Sequence, residues 1–240
     1  MASIVLATCA IALAKDFWEA KTYDQWAQRD CQKLLSNSPW AKELNLTVPQ
    51  VNLGSESSGA MDSQPPYIKY TVQLRSALPV RQALVRQMQI VNKYDAMSAE
   101  DKKSFDQRFE EFLAGPPAGF VVAQVSFESN NQNHLQTLIR HWQSQTVDLL
   151  KNSVYLRGSK GEKASLAQYV PVEGGNPEFQ FIFPREVDGK PVLAPGDKSL
   201  QLEFEYPVIE DNFGAVKFGD GKGFIEFKTD KMKLNGEVIY

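Results

Sequence analysis

Four segments of the chain carry apolar residues at the three- and four-residue spacing of an amphipathic helix. Local start and stop signals agree with this spacing. Thr22 and Ser98 are suitable N-caps with capping-box partners three residues later, Pro79 suits the first turn of a helix, and Pro39 ends the first segment. The sequence therefore predicts helices over 22–37, 79–94, 98–114 and 131–152.

The apolar stripes of the last three helices predict which side chains face the core. The longest helix carries its polar residues on the face opposite the stripe, so we expect a surface helix on a sheet, with His134 and His141 in solvent. The residues predicted to be buried are Val80, Leu84, Met88, Val91, Phe105, Phe109, Phe112, Leu113, Leu135, Leu138, Ile139, Trp142, Leu149 and Leu150.

Elsewhere, apolar and polar residues alternate with the two-residue period of a β-strand. Leu200 to Tyr206 is the clearest case, because its apolar residues alternate with acidic and amide side chains, as in a half-buried antiparallel strand. Strands are expected over 67–76, 119–128, 154–157, 164–172, 178–184, 199–206, 224–229 and 231–240. Hairpin-type turns are expected at Asp188-Gly189, Asp220-Gly221 and Asn235-Gly236.

These elements predict an α+β fold. Residues 15–53 form an N-terminal aromatic segment with an amphipathic helix, and 54–66 form a loop rich in Ser, Gly and Pro. Residues 67–157 form an α/β half with three helices on a sheet, and 158–240 form a β-rich antiparallel half. A chain of 240 residues also allows 67–240 to be one compact domain.

The chain begins with an uncharged run, residues 2–14, followed by Lys15. This run is too short to cross a bilayer as a helix, which needs about 20 residues, and it fits the apolar region of a secretory signal peptide. Ala12 and Ala14 supply the small-x-small cleavage pattern, so we expect residues 1–14 to be removed. The usual positive charge before the run is missing, so either the true start lies upstream or the signal is weak.

Two other interpretations of this run stay open. One is a buried N-terminal segment. The other is a lipid anchor, because Leu6 to Cys9 resembles a bacterial lipobox, although Thr8 fits that site poorly and the apolar run continues past the cysteine. The signal-peptide interpretation places the protein in the periplasm or outside the cell, and we expect no transmembrane helix in the mature chain.

Charge and composition remove several classes of function. The 26 basic and 29 acidic residues give a net charge of -3, without the basic excess of a nucleic-acid-binding protein. His134 and His141 stand seven residues apart, about 10.5 Å along a helix, which is too far for them to share a metal ion. After cleavage Cys31 is the only cysteine, and we expect it to be buried in the core. No metal and no cofactor is predicted.

Catalytic motifs are absent from the sequence. There is no Gly-x-Ser-x-Gly elbow and no Ser-x-x-Lys, and the glycine-containing segment 54–59 lacks the Lys and Ser/Thr of a P-loop. Carboxylates are plentiful, so a glycosidase-like Asp/Glu pair stays open, although nothing singles out two of them. No catalytic residue is assigned, and the sequence favours a protein that is not an enzyme.

Aromatic residues are concentrated at the start of the predicted mature chain. Such rings can anchor a terminal helix to its domain, because each buries a large apolar area, or they can form a platform for sugars and other ring-shaped ligands. We expect anchoring, and we keep Trp18, Trp26 and Trp40 as the candidate binding residues.

Short motifs span most of the mature chain: Lys15-Asp16-Phe17-Trp18-Glu19, Tyr23-Asp24-Gln25-Trp26, Ser38-Pro39-Trp40-Ala41, Ser76-Ala77-Leu78-Pro79-Val80-Arg81, Phe181-Ile182-Phe183-Pro184-Arg185 and Asp230-Lys231-Met232-Lys233-Leu234-Asn235-Gly236. Together they resemble a family of predicted exported bacterial proteins of unknown function, many from acidobacteria. The resemblance implies export and a bacterial source. No activity, fold or site residue can be inferred for this chain from the resemblance.

The sequence therefore favours an exported, non-catalytic binding or structural module of the bacterial cell envelope. Its expected partner is an envelope protein or polymer, not a nucleic acid. One alternative is an envelope-polymer hydrolase that uses paired Asp/Glu side chains in a cleft. The other is a hydrophobic-ligand-binding protein, which needs a large apolar pocket between the long helix and the sheet.

Overall fold

The computed structural model describes residues 16–47, 65–116, 118–210 and 217–240. Within these ranges the protein has a mixed α+β fold, which confirms the predicted class. The helices are α1 (Phe17–Ala20), α2 (Gln28–Ser36), α3 (Leu78–Val91), α4 (Ala99–Ala114), α5 (Gln132–Gln143) and α6 (Val147–Leu150). The strands are β1 (Ala41–Thr47), β2 (Tyr67–Leu74), β3 (Phe120–Ser129), β4 (Tyr155–Gly158), β5 (Lys163–Ser165), β6 (Gln168–Val170), β7 (Glu178–Pro184), β8 (Glu186–Val187), β9 (Lys190–Pro191), β10 (Ser199–Glu205), β11 (Ile209–Glu210), β12 (Lys217–Phe218), β13 (Lys222–Lys228), β14 (Lys233–Leu234) and β15 (Glu237–Val238).

Two antiparallel sheets hold most of these strands. One sheet has the strand order β1-β2-β3-β7-β6, and the other has the order β13-β10-β4-β5. The remaining strands form the two-stranded ribbons β8-β9, β11-β12 and β14-β15. Because β6 and β7 follow β3 in the first sheet, that sheet combines strands from both halves of the sequence.

Aromatic side chains fill the space between the two sheets and α5. Tyr70 of β2 is fully buried, and its ring centroid lies 5.9 Å from that of Phe204 on β10 and 6.4 Å from that of Trp142 on α5. Trp142 also stacks on Phe179 of β7, with 4.1 Å between centroids. Since side chains alternate along a strand, the neighbours of Tyr70 on β2 point to the opposite, outer face of the sheet.

The N-terminal segment differs from its prediction. Helix α2 begins at Gln28 and not at Thr22, because Tyr23–Gln25 form a separate 3₁₀ turn and the backbone N–H of Ala27 donates to Asp30 at 3.1 Å. The sequence also missed β1, which pairs with β2 at the sheet edge. Most β1 side chains are exposed or only half-buried, so its apolar alternation is weak.

Several predictions fall on residues that the structure does not describe. The predicted signal peptide 1–14, the lipid-anchor alternative at Cys9 and most of the predicted loop 54–66 lie outside the described residues. Among the helices that are described, none combines the length and the apolar character needed to cross a membrane.

Helix α3 buries a different face from the one predicted. Of the predicted stripe, Val80 is buried and Leu84 is half-buried, whereas Met88 is 45% exposed and Val91 is 74% exposed. The prediction of Met88 and Val91 as core residues is therefore wrong.

Polar side chains occupy part of the buried face of α3 instead. Arg86 donates from Nε to the backbone oxygen of Trp26 at 3.0 Å and from Nη1 to Gln89 Oε1 at 3.2 Å. Both Arg86 and Gln89 are buried. They are stable there because each finds a hydrogen-bond partner, and apolar periodicity gives no sign of such partners.

Helix α4 begins as predicted but buries little of its stripe. The backbone N–H of Asp101 donates to Ser98 Oγ at 3.1 Å, which confirms the N-cap. Phe105 is buried, whereas Phe112 is 37% exposed and Phe109 and Leu113 are only half-buried. The prediction that Phe112 faces the core is therefore wrong.

The long helix predicted over 131–152 is divided in two. Thr146 caps the separate helix α6 by accepting from the backbone N–H of Leu149 at 3.4 Å, and Leu149 is 64% exposed instead of buried. His134 is buried and not in solvent as predicted, and its ring lies 4.9 Å from Phe218 of β12. His141 is half-buried. The β11-β12 ribbon, distant in sequence, packs on His134, which helical spacing cannot reveal.

Two strands of the C-terminal half match their predicted ranges closely, whereas the strand predicted over 231–240 is wrong, because this segment forms the ribbon β14-β15. Strand β7 matches the predicted range 178–184, and β10 matches 199–206 to within one residue. The strand predicted over 164–172 is instead two strands, β5 and β6, which belong to different sheets. The chain changes sheets between them, where the backbone N–H of Ala167 donates to Ile182 at 2.9 Å.

Two of the predicted turn pairs close ribbons. Asp188-Gly189 joins β8 to β9, and Asn235-Gly236 joins β14 to β15, with positive φ at all four residues. Asp220-Gly221 connects β12 to β13, which do not pair with each other, so this turn does not close a hairpin.

Candidate ligand-binding groove

The three candidate tryptophans lie in the protein core. Trp18 is 8% exposed, Trp26 1% and Trp40 0%. The rings of Trp18 and Trp40 meet edge to face with 5.5 Å between centroids, and Trp40 Nε1 donates to the backbone oxygen of Ile239 at 2.6 Å. These contacts join the N-terminal segment to the C-terminus, and they leave no broad ring face open to solvent.

The reactive side chains considered in the sequence are not brought together. Within the described ranges no group of three or more His, Cys, Asp or Glu side chains is placed to hold a metal ion. Cys31 is completely buried, and burial raises the pKa of its thiol to about 11. A thiol with such a pKa is almost entirely protonated at neutral pH and is a poor nucleophile.

Two carboxylates do converge on the outer face of the five-stranded sheet. Lys69 Nζ lies 3.0 Å from Glu128 Oε1 and 3.6 Å from Glu43 Oε1. The hydrogen bond to Glu128 raises the pKa of Lys69. The two glutamates therefore share a cation between them, an arrangement typical of a cross-strand ion-pair network.

The space between α5 and the sheet is filled by side chains. Trp142 stacks on Phe179 and lies edge to face with Tyr70 and Phe181. Its Nε1 also donates to Tyr70 Oη at 3.4 Å. The position where an apolar ligand would lie is thus occupied by the Trp142 ring.

A polar groove lies instead on the outer face of the five-stranded sheet, where α2 and α3 flank it. Its volume is about 380 Å³. Gln73 and Arg75 from the β2 region and Gln124 from β3 form its floor, and Leu35 of α2 and Leu84 of α3 contribute apolar walls. We call this site the Arg75 groove. Its volume falls in the range of about 300–1,000 Å³ typical of small-molecule sites.

Strand alternation and register build the floor. Gln73 pairs with Gln124 across β2 and β3, and Gln124 pairs with Gln180 across β3 and β7, so three glutamines form a row across three strands. Gln180 Nε2 donates to Gln124 Oε1 at 2.9 Å. At the other end of the row, Gln73 Nε2 donates to the backbone oxygen of Leu35 at 2.7 Å, which links the sheet to α2.

Two polar atoms beneath the groove are buried without a partner. They are Arg75 Nε and Gln73 Oε1, and neither is hydrogen-bonded in the described structure. The rest of the Arg75 guanidinium also makes no hydrogen bond or ion pair with the described residues. Burial lowers the pKa of Arg75, and the negative charge of Glu178 opposes that shift. The guanidinium remains positively charged at neutral pH.

The backbone of Arg75 is held firmly, in contrast to its side chain. Its N–H donates to the carbonyl oxygen of Val122 at 2.8 Å, and its own carbonyl accepts from Arg81 Nη1 at 3.1 Å. Two hydrogen bonds thus fix the backbone position of Arg75 just after β2, as a recognition residue needs.

Arg81, six residues further on, has a structural role that Arg75 lacks. It is buried, and its guanidinium donates to the carbonyl oxygens of Arg75, Ser76 and Leu113. These bonds connect the start of α3 to the last turn of α4. Buried polar atoms are normally satisfied in this way, so the buried Nε of Arg75, which has no partner, is an exception that calls for an explanation.

The sequence did not predict the Arg75 groove. The only available signal was the alternation over 67–76, which assigns Gln73 and Arg75 to the polar face of a strand. It does not indicate that α2, α3 and β3 surround them. Comparison with protein-family models, with curated proteins and with solved structures gave no match for this chain.

Proposed function

We propose that this protein is a non-catalytic binding module whose ligand carries a carboxylate and occupies the Arg75 groove. The observation that carries this proposal is the Arg75 guanidinium, which lines the groove, has a buried Nε without a partner and makes no hydrogen bond to the protein. A planar carboxylate accepts two parallel hydrogen bonds from a guanidinium, which would satisfy it.

The lining of the groove carries two cations, Lys69 and Arg75, and two carboxylates, Glu43 and Glu178, so a negatively charged ligand group is favoured only next to Arg75. Lys69, the other cation of the groove, is already paired with Glu43 and Glu128. Arg75 is thus the one unpaired cation among the residues that line the groove, and Glu178 partly offsets it. A carboxylate suits this balance better than a doubly charged phosphate, which would need further cations.

The side chains of the groove support binding without reaction. No histidine or cysteine lines it, and the hydroxyls that do, such as those of Thr71 and Ser126, therefore have no imidazole base beside them. A carboxylate can also act as a general base, but no hydrogen bond joins Thr71 or Ser126 to the glutamates that line the groove in the described structure. The groove offers hydrogen-bond donors, acceptors and apolar walls, which can orient a ligand.

The cellular setting that we propose follows from the sequence. The uncharged run at residues 2–14 and the motifs shared with predicted exported bacterial proteins favour a protein of the cell envelope. In that setting, carboxylate-bearing ligands include peptides and the components of envelope polymers.

Calorimetric titration with N-acetylglycine, a small carboxylate, tests the proposal. We expect measurable binding to the wild-type protein, no binding of the uncharged N-acetylglycinamide, and loss of N-acetylglycine binding in Arg75→Met. Arg157→Met is the matched control, because Arg157 is half exposed on the other sheet and pairs with Glu203 at 2.9 Å. Equal binding of the acid and the amide, or binding that survives in Arg75→Met, would contradict the proposal.

A further inference from the structure

An exposed apolar stripe continues one wall of the Arg75 groove. Leu84 lines the groove, and Met88 and Val91 follow at four and seven residues along α3, on the same helix face. Met88 is 45% exposed and Val91 is 74% exposed. Aliphatic side chains at helical spacing would normally be covered, and here no described part of the chain covers Met88 and Val91.

The dimensions of this stripe match a short extended peptide. Leu84 and Val91 are separated by seven residues of helix, or about 10.5 Å at the usual rise per residue. An extended chain covers this distance with about three residues. A ligand larger than a single amino acid is therefore needed to contact both the groove and the end of the stripe.

The floor of the groove presents the groups that pair with peptide units. Gln73 and Gln124 lie opposite each other in the β2-β3 register. Gln73 Oε1 has no partner and can accept from a peptide N–H, and Gln124 Nε2 can donate to a peptide C=O. Arg75, which directly follows β2 and lines the same groove as Gln73, can bind a terminal carboxylate. Arg75, the glutamines and Leu84 thus line one groove, and the apolar stripe extends from Leu84 along α3.

From this arrangement we infer that the ligand of the Arg75 groove is the free C-terminus of an apolar peptide. This inference rests on the proposed function and names its ligand. The terminal carboxylate binds Arg75, the last peptide unit lies on the glutamine row, and the preceding apolar side chains pack on Leu84, Met88 and Val91. Tyr240 is engaged elsewhere, because Arg185 binds its backbone oxygen and stacks over its ring.

Fluorescence polarisation with three labelled pentapeptides tests this inference. The first consists of leucine and alanine with a free carboxylate, the second is the same peptide with a C-terminal amide, and the third consists of serine and glycine with a free carboxylate. We expect the first peptide to bind most tightly. The other two should bind at least about tenfold more weakly, because the second lacks the free carboxylate and the third lacks the apolar side chains.

Variants of the stripe separate this inference from the proposed function. The double substitution Met88→Glu with Val91→Glu should weaken the apolar peptide about tenfold and leave N-acetylglycine binding unchanged. Leu149→Glu is the matched control, because Leu149 is an exposed apolar residue that does not line the groove. Both substitutions alter exposed side chains, and a thermal melt of each variant checks its folding.

The possible results lead to different conclusions. If the serine-glycine peptide binds as tightly as the leucine-alanine peptide and the double variant binds both normally, the apolar-peptide inference is wrong, while carboxylate binding at Arg75 stands. If neither N-acetylglycine nor any peptide requires Arg75, the proposed function is wrong as well.

Discussion

Replacing Arg75 or Arg81 by methionine should change the stability of the protein in opposite directions. Methionine keeps much of the length of the arginine side chain and removes its charge and donors. At Arg75 the substitution removes a desolvated donor that has no protein partner. At Arg81 it removes the donor of hydrogen bonds to the carbonyl oxygens of Arg75, Ser76 and Leu113.

The expected magnitudes follow from these partners. An unsatisfied buried polar group costs about 1–3 kcal/mol, and the partial exposure of Arg75 places it at the low end, so Arg75→Met should stabilise the free protein by about 1 kcal/mol. Arg81→Met leaves buried carbonyl oxygens without their donor, which costs about 1–3 kcal/mol for such a group, so we expect a destabilisation of at least that size. For a chain of this size, 1 kcal/mol corresponds to about 2–4 °C in Tm.

Urea unfolding followed by tryptophan fluorescence measures both changes. All four tryptophans are buried, so their emission reports the loss of the core. If Arg75→Met destabilises the protein by more than about 1 kcal/mol, its guanidinium stabilises the fold and the reasoning that assigns it to a ligand fails. If Arg81→Met leaves the free energy of unfolding unchanged, the hydrogen bonds of Arg81 do not stabilise the fold, and its comparison with Arg75 has no energetic basis.

Two further predictions concern pH and processing. Burial lowers the pKa of His134 and of His141 below the ordinary 6.5, so the unfolded chain binds protons that the folded chain does not. Stability should therefore fall as the pH drops below about 6.5. In His134→Leu, the urea midpoint should change less between pH 8 and pH 5 than it does in the wild-type protein. An equal change in both proteins would contradict the contribution of His134 to this pH dependence. Expression in a bacterial host should give a mature chain that begins at Lys15, and an intact-mass measurement that finds 1–14 still attached to exported protein would contradict the predicted cleavage.

The sequence by itself determined the local parts of this protein. Alternation located β7 and β10 because each has one buried face and one solvated face. The Ser98 cap and the Asn235-Gly236 turn were predictable because their geometry depends only on neighbouring residues.

Only the tertiary structure decided which faces are covered and which polar groups meet. The apolar stripe of α3 was visible in the sequence, but Arg86 and Gln89 find hydrogen-bond partners on its buried face, and Met88 and Val91 are exposed. The Arg75 groove likewise requires two helices and neighbouring strands to approach the outer face of β2. Burial and pairing are long-range properties, because they depend on residues that are distant in sequence and adjacent only in the folded chain.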